Sequence, residues 1–416
     1  MSQARSVQRT YFALVLSSTL ASSFIWGVNT LFLLDAGLSN AQAFTANAFF
    51  TLGQVVFEIP TGVVADVRGR KLSFLLGACT LLVTTIAYVA LWEIEGPFWA
   101  WALVSALIGL GFTFFSGATE AWLVDALNFC GYDGTLERVF ARGQVVAGVG
   151  MLVGAVGGGL LAQATNLGAP YVVRIVLLLI TVALAAFMMK DLGFTPAERT
   201  SPVDEVRTVL RKSIDSGIRN RPVRWLMLAA PFTAGVGLYA FYAVQPYLLE
   251  LYGDDSAYAI AGFAAALFAG AQIVGGLTVP LAQRVFRYRT QALIVATIVS
   301  VLALAAIGLS SSFWVVVGLL VVWSMTTAAA FPMRQAYLNG LIPSQERATV
   351  LSFDSLMGSA GGVVVQPVLG RAADVWSYST SYVIASGIQL IALPFVVLAR
   401  REHAASDPIE ATPAVD

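Results

Sequence analysis

Three carboxylic acids and one guanidinium stand inside otherwise apolar stretches of this sequence: Glu58, Glu120, Asp354 and Arg142. An ionisable group in hydrocarbon is costly, so such residues mark ion paths, proton relays or gates. Each lies about seven residues or fewer from the basic end of its apolar run, which at about 1.5 Å per residue is roughly 10 Å deep. A shared layer of three acids and one base has two readings, a cytoplasmic gate or a proton-coupling site. The gate is favoured, because no acid lies at mid-depth of the first or seventh run. The single histidine, His403, lies in the tail, so a relay within the apolar runs must use carboxylates. Cys79 and Cys130 lack a metal-ligand spacing, and no metal or other cofactor is expected. No nucleophile–base constellation or nucleotide-binding loop appears, which argues against an enzyme. A second charged group, Gly62-Val-Val-Ala65-Asp66-Val-Arg68-Gly69-Arg70-Lys71, separates the second and third apolar runs.

The elements that carry these residues follow from composition. The 416 residues are 58% hydrophobic and 12% charged, with a mean hydropathy of +0.78. A bilayer core about 30 Å thick takes roughly 20 helical residues per crossing. Twelve runs meet that length, at about 11–34, 42–65, 72–93, 99–127, 140–163, 170–189, 225–248, 257–282, 290–309, 313–333, 349–370 and 377–399. Helices rather than barrel strands suit them, since backbone in lipid must satisfy its own hydrogen bonds. Residues 11–34 follow Arg5 and Arg9 in the manner of a signal peptide, but the run is too long for a signal core and reads as a retained first span.

Net charge is zero, so its distribution carries the information. Of the 24 lysines and arginines, all but Arg174 and Arg371 fall on one side of a twelve-span topology whose termini both lie there. The positive-inside rule makes that side the cytoplasm. The expected division is an N-terminal six-helix bundle over 1–189, a linker over 190–223, a C-terminal six-helix bundle over 224–403 and a disordered tail over 404–416. Within the linker, Ser201-Pro202-Val203-Asp204 reads as a helix start, and Val203, Val206, Leu210, Ile214 and Ile218 recur at helical spacing. That amphipathic helix either lies on the inner membrane surface or packs on the bundle ends.

A 6+6 arrangement with this charged loop resembles the major facilitator superfamily, whose loop signature Gly-x-x-x-Asp-x-x-Gly-Arg-Lys is complete at Gly62, Asp66, Gly69, Arg70 and Lys71. The counterpart after the eighth span is degenerate: Gly276 is followed by Pro280 in the acidic place, while Arg284, Arg287 and Arg289 stay basic. The resemblance implies an all-α fold of 12 transmembrane helices in two six-helix bundles. It also implies a cytoplasmic latch, in which Asp66 faces the unpaired N–H groups that begin the eleventh span and Arg70 ties Asp66 to Asp125. In the fifth span, Gly150, Gly154 and Gly158 resemble the glycine-rich motif of the family's antiporters, with Ala155 where that motif has a proline. Physically they share a helix face that permits close packing.

In such a fold the first, fourth, seventh and tenth spans line the cavity. That makes Glu120 the first choice for protonation, and Trp26, Asn29, Trp122, Tyr239, Tyr242, Gln245 and Trp323 the candidates for substrate contact. Inverted repeats relate the second span to the eleventh. Gly62-x-x-Ala65-Asp66 accordingly recurs as Gly370-Arg371-x-Ala373-Asp374, and an outer latch would set Asp374, near Arg371, against the capping-box start at Ser39. The function expected is secondary transport, namely proton-coupled efflux of a small amphipathic organic compound by alternating access. Uptake by proton symport on the same fold is the alternative, and a membrane sensor or scaffold that moves nothing is the competing class. Expected partners are that solute, protons and the lipid bilayer of a plasma membrane, with no nucleic acid and with the monomer as the working form.

Overall fold

The computed structural model describes residues 2–196, 207, 211, 214–343 and 347–409. Among these the chain is helical, apart from one isolated bridge between Tyr288 and Pro408. Unit 1 contains α1 (Ser2–Trp26), α2 (Asn29–Asp35), α3 (Asn40–Arg68), α4 (Arg70–Glu93), α5 (Phe98–Thr113), α6 (Ala118–Phe129), α7 (Leu136–Ala164) and α8 (Ala169–Met188). Next come α9 (Arg221–Tyr252), α10 (Tyr258–Leu277), α11 (Val279–Val285), α12 (Arg289–Leu309), α13 (Phe313–Asn339), α14 (Arg347–Val375), α15 (Tyr378–Leu390) and α16 (Ala392–Arg401). All of these belong to unit 2 except the first part of α10, which clusters with unit 1 up to Ala266.

Ten helices are long and apolar enough to cross a membrane, and α1 with α2, bent by 50°, supplies an eleventh crossing. The 29-residue α14 is the twelfth; it carries Asp354, Arg371 and Asp374, which dilute its hydropathy. The crossings are therefore twelve, and four of the expected single helices are interrupted: the first at Gly27–Val28, the fourth at Phe114–Gly117, the eighth at Thr278 and the twelfth at Ile391. Of the expected amphipathic linker helix, Ser201, Pro202, Val203, Asp204, Val206 and Leu210 lie outside the described residues. Ile214–Ile218 forms one π-helical turn.

Capping chemistry sets several of these boundaries. Ser39 Oγ accepts from the Gln42 N–H, and Gln42 Oε1 accepts from the Ser39 N–H, so α3 begins in a full capping box. One residue, Gly69 at φ +110°, reverses the chain between α3 and α4, a conformation that side chains with a Cβ rarely adopt.

In unit 1, α1 packs on α7 and α8, α3 on α5, and α4 on α5 and α8. Glycine makes the α1–α7 crossing possible. A Cβ at Gly154 would fall 1.9 Å from Ser23 Oγ, and one at Gly158 would fall 1.8 Å from the Phe24 carbonyl oxygen. Ser23 Oγ donates to the Gly150 carbonyl at 3.2 Å, closing the contact with a hydrogen bond. In unit 2, α9 packs on α14 by the same device: a Cβ at Gly361 would lie 2.0 Å from the Pro231 carbonyl oxygen.

The C-terminal segment, expected to be disordered from about Ala404, is placed as far as Ile409. The Asp407 carboxylate accepts from the Thr290 N–H at 2.8 Å and from Thr290 Oγ1 at 2.7 Å, which caps α12. Arg289 Nη1 donates to the carbonyls of Ser406 and Pro408, and Trp225 Nε1 donates to Glu402 at 3.0 Å.

Candidate functional site

The fourth crossing breaks where its chemistry lies. After α5 the chain turns through Phe114–Gly117, with Gly117 left-handed at φ +67°, and resumes as α6. Non-helical backbone at membrane depth persists only where protein or a water-filled cavity satisfies it. Here Ser73 Oγ donates to the freed Phe114 carbonyl at 2.9 Å. Ser116 Oγ donates to Glu58 Oε1 at 2.6 Å, tying α3 to the break. Glu120 stands in the first turn of α6, exposed, with no hydrogen bond or ion pair among the described residues. Two carboxylates, Glu58 and Glu120, thus flank one interruption of a crossing. Acidic residues within membrane crossings face a bundle interior or a water-filled cavity rather than lipid.

The proposed layer of four charges is not one cluster. Asp354 is buried and takes a two-pronged contact from Arg334, at 2.5 Å to Oδ2 and 2.6 Å to Oδ1, while Arg334 Nη2 also donates to the Leu226 carbonyl. Arg334, one residue past the apolar run expected as the tenth span, lies inside α13, whose last turns extend beyond that run. Parallel guanidinium–carboxylate pairs are the strong form of such contacts. Asp354 is consequently held in unit 2 as one half of an ion pair. Arg142 is exposed on α7 with no partner among the described residues.

The loop between α3 and α4 brings Asp66, Arg70 and Asp125 together. Arg70 forms an ion pair with Asp66 one helical turn away, and its Nε lies 4.0 Å from Asp125 Oδ2, a distance of attraction rather than of hydrogen bonding. Sequence reasoning missed Asp191. Its Oδ1 accepts from the Lys71 N–H at 2.9 Å, so the anion capping α4 comes from 120 residues downstream. A Cβ at Gly69 would sit 2.6 Å from Asp191 Oδ2, which gives that glycine a second reason to lack a side chain. Lys71 Nζ donates to the Ala186 carbonyl at the end of α8. Gly62 lies on open space, where a Cβ would meet nothing within 4 Å.

The substrate-contact candidates divide. Trp122 is a core residue: it packs with Leu123, Ala126 and Leu127, and its Nε1 donates to the Lys190 carbonyl at 2.8 Å. Tyr239 is fully buried and shares a hydrogen bond with Ser381 on α15, and Gln245 is equally buried. Trp323 packs on Phe268, with ring centroids 5.7 Å apart, and its buried Nε1 has no acceptor among the described residues. These four are therefore buried, with 0–2% of their surface exposed. Asn29 is half-buried but engaged, donating to Asn47 at 2.9 Å and accepting from Tyr171 at 3.0 Å; it pins the bend between α1 and α2. Trp26 and Tyr242 remain half-buried. At the proposed outer latch, Ser39 is occupied by its capping box, Arg371 is exposed and Asp374 half-buried. Among the described residues no group of three or more His, Cys, Asp or Glu is placed to hold a metal.

The family model described as Major Facilitator Superfamily matches residues 11–284 and 277–415. Among solved structures, the nucleoside transporter NupG superposes with a TM-score of 0.77 at 11% identity, over 96% of this chain and 99% of that one. A bacterial homolog of the human lysosomal transporter Spinster gives 0.72 at 17% identity, over 99% of both chains. A POT family transporter in complex with a thioalcohol-conjugated peptide gives 0.71 at 12%, over 95% and 96%. No curated protein matches the sequence. Identities this low convey the fold alone, but the family match spans nearly every crossing. The chain belongs to the Major Facilitator Superfamily, and it is a multi-pass membrane transporter rather than an enzyme.

Proposed function

We propose that this transporter exports a small, partly hydrophobic organic compound in exchange for protons, by alternating access, with Glu120 as the proton carrier. The observation that carries the reading is the broken fourth crossing, which leaves Glu120 exposed and, among the described residues, without an ion pair, while Glu58 is held by Ser116. Discontinuous helices are where transporters of this kind place coupling-ion and substrate sites. The partly accessible aromatic groups Trp26 in unit 1 and Tyr242 in unit 2, in a chain only 12% charged, suit an amphipathic solute better than a phosphate or sugar. The glycine stripe of α7 supports the outward direction. Uptake by symport is favoured by one residue, Ala155, which stands where the antiporter motif has a proline.

The test is transport in reconstituted vesicles carrying an internal pH dye, challenged with a solute panel under inward and outward proton gradients. Glu120→Gln should abolish gradient-driven flux and leave solute exchange at zero gradient intact. Unchanged gradient-driven flux with unchanged pH dependence would refute the assignment, and accumulation that follows protons inward would establish symport.

A further inference from the structure

Unit 2 has a crevice outside the candidate site described above. α10 ends at Leu277, Thr278 Oγ1 turns back to the Gly275 carbonyl at 2.7 Å, and α11 restarts with a proline in its first turn. Beside this break, α12 and α13 stand apart from α11 around a cavity of about 290 Å³, walled by Thr278, Ala282, Phe286, Ala296, Ala329 and Met333 among others. The walls are almost wholly apolar. A water needs two to four polar partners, which this space does not supply, and it lies at the lower limit of the roughly 300–1,000 Å³ that small-molecule pockets occupy.

Two observations say what fills it. Leu277, Leu281 and Val285 continue the α10–α11 surface beside the crevice at 75%, 62% and 67% exposure, a strip that only hydrocarbon covers well. Arg284 and Arg287 share the short stretch of chain that supplies the lining residues Ala282 and Phe286, Arg284 on the side of α11 that carries Leu281, and both are exposed and without a counter-ion among the described residues. The nearby ionic groups are committed elsewhere: Arg289 to the carbonyls of Ser406 and Pro408, Asp407 to Thr290 and Glu402 to Trp225. Apolar space and two cations without a counter-ion among the described residues therefore share this end of unit 2, on the side where arginine and lysine concentrate. We infer that this is a site for an anionic phospholipid, with one acyl chain in the crevice beside the Thr278 break and the phosphate between Arg284 and Arg287. Cytoplasmic-leaflet anionic lipids are drawn to clustered arginines in this way.

The experiment is native mass spectrometry of the full-length protein with phosphatidylglycerol against phosphatidylcholine of matched chains. The parent should retain phosphatidylglycerol preferentially, and each of Arg284→Gln and Arg287→Gln should weaken that retention by about fivefold. Arg284→Lys with Arg287→Lys should keep most of it. Ala296→Phe, filling the crevice with both arginines intact, should also displace the lipid. Circular dichroism and a melting curve show that each variant is folded. Glycerol phosphate, which has the headgroup but no chain, should fail to compete. Equal retention of the two lipids by the parent would overturn the proposal, as would full retention in the double glutamine variant or effective competition by glycerol phosphate. Loss of solute binding with unchanged lipid retention in Ala296→Phe would assign the crevice to the transported compound and would equally overturn it.

Discussion

Arg70 and Arg334 show how one residue type serves two purposes in one membrane protein. Arg70 is shared between Asp66 and Asp125 at the membrane edge, where solvent weakens each contact. Asp66→Asn and Arg70→Ala should each slow transport strongly in vesicles while leaving the protein inserted. Their double mutant should lose less than the sum of the two, since one network is broken twice; additive losses would show that the residues act separately. Arg334 is different, because its partner Asp354 keeps only 4% of its side chain exposed. Removing either member alone leaves a buried charge, so Arg334→Met or Asp354→Leu should cost about 3–5 kcal/mol of stability, and the two together much less. Detergent-solubilised melting curves report this. If the singles melt with the parent, the pair is not buried as described. The sequence could not disclose this pairing. Arginines near apolar runs read as topology markers, and only the tertiary fold shows that Arg334 turns inward to meet a residue 20 positions on. Asp191 was hidden for the same reason, since a cap supplied from 120 residues away leaves no local pattern.

Helices were largely legible, and their interruptions were not. Hydropathy reports how long an apolar run is, so the twelve crossings could be counted from the sequence. A break such as Phe114–Gly117 removes few apolar residues and leaves the run's average nearly unchanged; its one signal, the Ser116-Gly117 pair, recurs as Ser386-Gly387 inside unbroken α15. The glycine face of α7 was legible because a spacing of four residues is itself the helical period. Its role can be weighed against a glycine on the same helix with no neighbour. Gly158→Ala should prevent α1 and α7 from closing, costing several kcal/mol or abolishing folding, since nothing at 1.8 Å can give way except backbone. Gly148→Ala, whose Cβ meets nothing within 4 Å, should be neutral or raise stability by about 0.5–1 kcal/mol through helix propensity. Equal melting temperatures for the two variants would show that the crossing is looser than its geometry states.

At the scale of the whole transporter, alternating access requires each closed state to be held by contacts that the other state lacks. We propose Asp374 as the outer contact, on the strength of its Gly-x-x-Ala-Asp setting at the end of α14. Asp374→Asn should shift the population toward outward-open, raising the labelling rate of a cysteine introduced at the outer mouth of the cavity. An unchanged rate would remove Asp374 from the gating machinery. Family membership and the 6+6 plan were legible from hydropathy and one loop signature. The solute was not, because the side chains that sequence position assigned to a cavity include Trp122 and Tyr239, which the fold turns into its own interior.

The segment after α16 sets a practical boundary for anyone handling this protein. Asp407 caps α12, and the Ile409 N–H donates to the Arg287 carbonyl at 2.9 Å, so the chain is fastened to the helical bundle up to that residue. A fluorescent reporter or affinity tag joined at or before Glu402 would strip the cap from Thr290 and the acceptor from Trp225. The same fusion placed after Ile409 leaves every one of those bonds in place.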